Sequence, residues 1–181
     1  MGTPTNVKVG AGTLYFGVVG AVEPSDLTAP ISTTVWTAVG YTDKGHLFSV
    51  KPSYETIEVA EEKMPVRREK SAVEYSVEFE VAEMTALNVQ KALNGGTVTT
   101  AAGTVTFEPP LPTDPDTRVA ILWESDAKDE RWIFRKCIQT DKVDIERRKA
   151  PQKALIPMHF ELEVVSSAIR PFRAIFPTPA P

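Results

Sequence analysis

The chain has 181 residues, of which 42% are hydrophobic and 24% charged, and its formal net charge is -4 at pH 7. This length suits a single domain with a proper core. The acidic balance argues against a protein that grips nucleic acid through a basic patch, although nucleic acid could pass without being held.

Ten segments are predicted to be strands, because they are rich in β-branched and aromatic residues and are separated by Gly, Pro, Asp and Asn. In chain order they are 13–19, 35–41, 46–50, 54–60, 73–81, 104–108, 118–124, 131–139, 142–147 and 155–165. The pattern predicts a mainly β fold, an antiparallel β-sandwich or half-barrel, in one domain over residues 13–165.

One flanking α-helix is predicted over about residues 83–93. Its apolar stripe would consist of Met84, Leu87, Ala92 and Leu93. Glu83 stands where the helix dipole favours an anion, and the Asn-Gly-Gly that follows Leu93 ends the helix. A helix of this kind is expected to lie against the sheet.

The connections and both ends of the domain are predicted from composition. Residues 20–34 and 109–117 are loops fixed by proline, and 61–72 is a long charged loop that suits docking onto another molecule. An N-terminal arm spans 1–12 and a C-terminal arm 166–181. The C-terminal arm has four large apolar residues, Ile169, Phe172, Ile175 and Phe176. Because these are costly to leave in water, they should pack on a neighbour or on their own domain.

Neither catalysis nor a cofactor is expected. The chain has one cysteine, Cys137, and two histidines, His46 and His159, which allow neither an internal disulfide nor a Cys/His metal cluster. Neither histidine stands in a nucleophile motif, and the glycines near the N-terminus do not have dinucleotide-binding spacing. The start has no apolar core of a signal peptide, and no apolar run approaches the ~18 residues of a membrane span.

Acidic residues recur at the polar positions of the predicted strands. In VEYSVEFEV, residues 73–81, apolar side chains alternate with Glu74, Ser76, Glu78 and Glu80. A half-solvated antiparallel sheet shows such alternation in any case, so one wet face is the simplest interpretation. Glu161 and Glu163 repeat the pattern in a later strand. This repetition favours a functional role for the row of carboxylates.

The order VWTAVGYTDKG, then SYETIEVAEEKMPVR, then VEYSVEFEVAEMTALNVQKALNGG, resembles the major tail tube protein of long-tailed, non-contractile bacteriophages. The resemblance is clearest from Val35 to Gly96, and the second half of the chain matches only in being rich in strands. It implies a β-sandwich whose copies form six-membered rings, stacked into a hollow tail tube that conducts double-stranded DNA. It also implies a place in the virion after assembly in the host cytoplasm.

The resemblance implies a role for three groups of residues. Residues expected to face the lumen and to repel DNA phosphates are Glu74, Ser76, Glu78, Glu80, Glu161 and Glu163. Residues expected to contact the adjacent ring are Glu61, Glu62, Met64, Arg67 and Arg68. The apolar residues of the C-terminal arm would bridge subunits.

The implied partners are further copies of the chain, a tape measure protein, a tail terminator and a distal tail protein. Two other classes remain open: another virion protein, such as a tail terminator or a head decoration protein, and a β-sandwich module that binds carbohydrate or a host surface. A binding module should expose clustered aromatics, whereas Trp36, Trp123 and Trp132 mostly occupy core-like strand positions.

Overall fold

The computed structural model describes residues 11–58, 64–147, 149–150 and 152–178. About half of the described residues are in strands, and only about 4% are helical. The strands are β1 Gly12–Val18, β2 Trp36–Ala38, β3 Thr42–Ile57, β4 Arg67–Val81, β5 Thr97–Ala101, β6 Thr104–Glu108, β7 Val119–Ser125, β8 Arg131–Gln139, β9 Ile156–Leu162 and β10 Phe172–Ile175, and the helix is α1 Ala86–Ala92. None of the described helical residues forms a segment long and apolar enough to cross a membrane.

One antiparallel sheet carries the fold, in the order β2-β1-β7-β8-β9-β4-β3. Strand β8 is shared, because its first half pairs with β10 and its last residues pair with β9. The sheet folds over itself, so that Phe16 of β1 meets Phe79 of β4 and Phe160 of β9, with ring centroids 6.1 and 5.8 Å apart. The predicted mainly β, antiparallel fold with one helix is confirmed, and the sheet does not close into a barrel.

The alternation of apolar residues places the core between the two layers. Val77, Phe79 and Val81 of β4 are buried on the inner side, as period-2 alternation requires. Every residue of β7 is buried, because its second side is covered as well. Each large apolar side chain buried in this way contributes about 1.5–3 kcal/mol to stability. Strand β7 is buried on both sides and therefore contributes more than a strand with one buried side.

Arginines fix the loop over residues 20–34 against the outer side of β7 and β8. Arg131 donates to the carbonyl oxygens of Asp26 and Ala29 and forms a buried ion pair with Glu124. Arg135 bonds the Glu23 carboxylate at 2.5 and 3.0 Å. The loop is therefore held by charged side chains of β8 in addition to the rigidity of its prolines.

Several predicted boundaries are wrong. The predicted strands 46–50 and 54–60 are parts of one longer strand, β3, and residues 67–72 of the predicted loop belong to β4. Residues 142–147 form no strand, although Val143 and Ile145 do pack on the core. The alternation occurs here, but none of the described strands pairs with this segment. Strands β5 and β10 were not predicted.

The helix is shorter than predicted and its stripe is shifted. Thr85 caps α1, its side-chain oxygen accepting a hydrogen bond from the Asn88 amide at 3.1 Å, so Glu83 lies before the helix. Asn88 and Ala92 are buried, whereas Leu87 and Leu93 are 49% and 37% exposed. The prediction that Leu87 and Leu93 belong to the buried stripe is therefore wrong.

Candidate functional site: the polar face and the β3–β4 arm

All six residues predicted to line a lumen lie on one side of the sheet, on β4 and on β9 with the residue that follows it. In the antiparallel register Glu78 lies between Leu47 of β3 and His159 of β9, and Ser76 lies between Ser49 and Glu161. Side chains paired across antiparallel strands point to the same side. We call this side the polar face; it consists of Leu47, Ser49, Lys51, Glu74, Ser76, Glu78, Glu80, Lys136, His159, Glu161 and Glu163.

Lysine and arginine side chains partly neutralise these carboxylates. Lys51 Nζ lies 3.0 Å from Glu74. His159 Nδ1 lies 3.1 Å from Glu78 and adds a positive charge there only when the ring is protonated. Glu163 accepts from Lys136 at 2.9 Å, and Arg118 also pairs with it. The hydrogen bond from Lys136, followed by that from Arg118, lowers the pKa of the Glu163 carboxyl. The row is therefore less uniformly negative than the strand sequence VEYSVEFEV suggests.

A cavity of about 470 Å³ lies at the end of the polar face nearest Glu80, and both histidines line it. The His46 ring packs against Trp123 at a tilt of 48°, with ring centroids 4.7 Å apart, and burial lowers the pKa of its imidazole against the opposing influence of Glu130. Within the described ranges, no three His, Cys, Asp or Glu side chains are placed to hold a metal. Charged and polar side chains, among them Glu78, Glu80 and Lys142, line this cavity.

The hairpin of β3 and β4 continues beyond the body of the sheet. Strand β9 pairs only with Ser76–Val81, so residues 51–57 and 67–74 pair with each other alone. We call the described part of this projecting ribbon, residues 51–58 and 64–74, the β3–β4 arm, and we call its end, Glu58 with residues 64–66, the tip.

Three of the five residues predicted to contact an adjacent ring can be placed on the arm. Met64 is 77% exposed at the tip, Arg67 pairs with Glu69 at 3.1 Å, and Arg68 lies opposite Thr56. Glu61 and Glu62 lie outside the described residues.

The C-terminal segment packs on its own domain, one of the two predicted alternatives. Phe172 of β10 stacks on Trp132, with ring centroids 5.9 Å apart, and meets Phe48 of β3 at a tilt of 60° with centroids 5.0 Å apart. Phe176 meets Trp132 edge-on, and Ile175 packs against the cluster of Trp36, Ala120, Leu122 and Ile133. Ile169 remains 44% exposed. Residues 172–176 therefore cover one end of the aromatic core, and of the predicted N-terminal arm only Ala11 and Gly12 are described.

Sequence reasoning missed the edges and the cations. Strand β3, with 16 residues, is one edge of the sheet, and β2, with three, is the other. Period-2 alternation through HLFSVK would have placed Leu47, Ser49 and Lys51 on one side. Nothing in the sequence, however, reveals that this side lies against Glu74 and Glu78, because strand register is a property of the folded sheet.

Comparison with known proteins finds one family model, described as phage tail tube protein, that matches residues 3–165. No curated protein sequence matches the chain. Among solved structures, a chain of the cryo-EM structure of the anti-feeding prophage (AFP) baseplate, 6-fold symmetrised, is similar, with a TM-score of 0.44 and 10% identity. That match covers 97% of this chain and 98% of the other.

Proposed function

Because this chain belongs to the phage tail tube protein family, and is thus a structural protein of a phage tail, we propose that its copies form six-membered rings. The rings stack into the hollow tube of a long, non-contractile tail, assembled in the host cytoplasm. The polar face lines the channel, and double-stranded DNA passes through it into the host. The role is structural and not enzymatic.

The observation that carries the channel assignment is the polar face itself. Six predicted side chains lie together on one side of β4 and β9, and carboxylates outnumber cations there even after the ion pairs with Lys51, Lys136 and Arg118. A channel wall of this sign repels phosphates, so DNA can move without ion pairing and counterion release.

The free edges of the sheet support ring closure. Among the described strands, none pairs with the outer side of β3, and an exposed strand of this length presents a row of unpaired backbone groups. Head-to-tail pairing of copies covers such edges when the rotation closes into a ring.

The β3–β4 arm is proposed to contact the adjacent ring. Ile57, Met64 and Val66 are exposed near its end, and such apolar side chains gain when a partner covers them. Glu61, Glu62, Arg67 and Arg68 would set the register by charge. We expect deletion of residues 62–66, which spares the paired residues of β4, to leave a folded subunit that no longer polymerises.

The remaining partners follow from the proposed role. A tape measure protein inside the tube, a tail terminator and a distal tail protein would meet the same chain at the lumen and at the two ends of the polymer.

Electron microscopy of the purified chain tests the proposal. Long hollow tubes with stacked rings are expected. Single rings that never stack would instead favour a tail terminator or a head decoration protein, and stable monomers at high protein concentration would favour a β-sandwich binding module. Either of these two results overturns the tube assignment.

A further inference from the structure

The β3–β4 arm and helix α1 lie at opposite ends of the molecule. Strand β4 starts in the arm at Arg67 and ends at Val81, and α1 begins five residues later. Fifteen residues of strand extend over about 50 Å. If copies repeat head to tail along β4, the arm of one copy therefore meets the α1 end of the next.

The α1 end carries a groove with exposed apolar residues. A cavity of about 390 Å³ lies between α1 and the strands β1 and β2, and we call it the α1–β2 groove. Val18 and Leu87 line it and are 67% and 49% exposed. Asn88 occupies the buried position of this helical turn. The apolar side chain of Leu87 is therefore left facing solvent in a single subunit.

Lys91 is a charged residue of the groove for which the described residues offer no ion-pair partner. It lines the groove and is half-buried, and burial lowers the pKa of its ammonium group. Glu83 also lines the groove, so the groove carries one charge of each sign, but the Glu83 carboxylate accepts a hydrogen bond from the Tyr41 amide and forms no ion pair with Lys91. A partly desolvated cation is stabilised by an incoming carboxylate.

The tip of the arm has the complementary chemistry. Met64 and Val66 are 77% and 59% exposed, and Glu58 is an exposed acid at the end of β3. We propose that the α1–β2 groove of one copy receives the arm tip of a second copy, with Met64 and Val66 against Leu87 and the Glu58 carboxylate against Lys91. The inference rests on the proposed stacking and names its acceptor site.

Disulfide trapping tests this contact between copies. The variant Met64→Cys with Leu87→Cys cannot bridge within one chain, because the two positions lie at opposite ends, and the native Cys137 is fully buried. After oxidation of the polymer, a denaturing gel without reductant should show a ladder of linked chains. Each single variant should give no ladder beyond dimers.

A matched pair controls for accidental collision at the same end. Val105 is 55% exposed on the β5–β6 hairpin, which contacts α1. The pair Met64→Cys with Val105→Cys should give little or no ladder. If it links as well as the Leu87 pair, or if well-formed tubes of the Leu87 pair give no ladder, the groove is not the acceptor. Failure of the unmodified chain to form tubes would instead overturn the proposed function, and this inference with it.

A charge reversal provides a second readout. We expect Lys91→Glu to raise the protein concentration needed for polymerisation by about tenfold or more, since a like charge then faces the arm. Lys91→Arg should restore it, and Lys128→Glu, on an exposed turn, should not change it. Unchanged polymerisation of a folded Lys91→Glu variant would contradict the contact, and if that variant misfolds, the disulfide ladder decides.

Discussion

Reversing the charge of the polar face should make assembled tubes retain DNA. Counting Arg118, whose guanidinium pairs with Glu163, five carboxylates face three cationic groups, which gives a formal charge of -2 per copy with both histidines neutral. Changing Glu74, Glu78 and Glu80 to Gln removes three negative charges and gives +1. Changing them to Lys gives +4 from the same count.

The folded subunit should tolerate these changes. The pair between Lys51 and Glu74 is exposed on both sides, and exposed pairs of this kind contribute about 0–1 kcal/mol. Repulsion between the new lysine at position 74 and Lys51 is screened by solvent for the same reason. Tube formation by the Gln variant is expected to match that of the unmodified chain.

The assay is co-sedimentation of tubes with short double-stranded DNA over a range of salt, followed by nuclease treatment. Unmodified tubes should retain no DNA, Gln tubes little, and Lys tubes much. If each DNA fragment contacts about six to ten lysines, the affinity of the Lys tubes for DNA should fall by a factor of about 10³–10⁵ between 50 and 200 mM salt. DNA held in a closed channel should also resist nuclease.

A control variant carries the same charge change elsewhere. Glu108, Asp116 and Asp126 are exposed and lie outside the polar face. Tubes in which these three residues are changed to Lys should bind DNA on their outer surface, where nuclease still digests it. If DNA held by the polar-face Lys variant is digested equally fast, the polar face does not border a closed channel.

Three further predictions concern single residues. Phe172→Ala should lower the free energy of unfolding in urea by about 2–4 kcal/mol, because Phe172 fills the aromatic end of the core, whereas Phe176→Ala should cost clearly less; equal losses would contradict this packing. The pKa of His46 is lowered by burial, so near neutral pH the unfolded chain binds more protons than the folded one. The free energy of unfolding should therefore fall as pH drops below the ordinary histidine pKa of about 6.5. His46→Gln should flatten this pH dependence of stability between pH 5 and 7, and an unchanged pH dependence would refute the reasoning. Lys136→Met should raise the pKa of Glu163, measured by NMR titration, because its strongest hydrogen-bond donor is lost; no rise would show that Lys136 does not bind it in solution.

Strands that face the core could be predicted closely from the sequence. The interval 131–139 agrees with β8 at both ends, and Val77 and Phe79 point inward as their alternation requires. In β4 burial selects the residue at every second position, so the pattern and the structure have the same cause. The interval 104–108 also agrees with β6 at both ends, but that strand has no buried residue, so its β-branched composition carried the prediction.

The arm could not be predicted in the same way. Residues 67–72 are charged and follow Pro65, a pattern typical of a loop, yet they pair with β3 as a ribbon exposed on both sides. With no core on either side, hydrophobic alternation has no reason to appear. Strand β10 escaped prediction for a related reason, because its short run depends on aromatic partners from β3 and β8.

The composition of the polar face needed the structure as well. Its acids were visible in the sequence, but Lys51, Lys136 and His159 come from strands far along the chain. Only the register brings them beside Glu74, Glu163 and Glu78. The sequence therefore overstated how negative this surface is.

A helical reconstruction of the polymer by cryo-electron microscopy tests the channel assignment most directly. We expect the side chains of Glu78 and Glu80 to stand on the wall of a continuous axial channel, with β3 paired to a strand of the neighbouring copy. A polymer in which these two carboxylates point to the outer surface would contradict it.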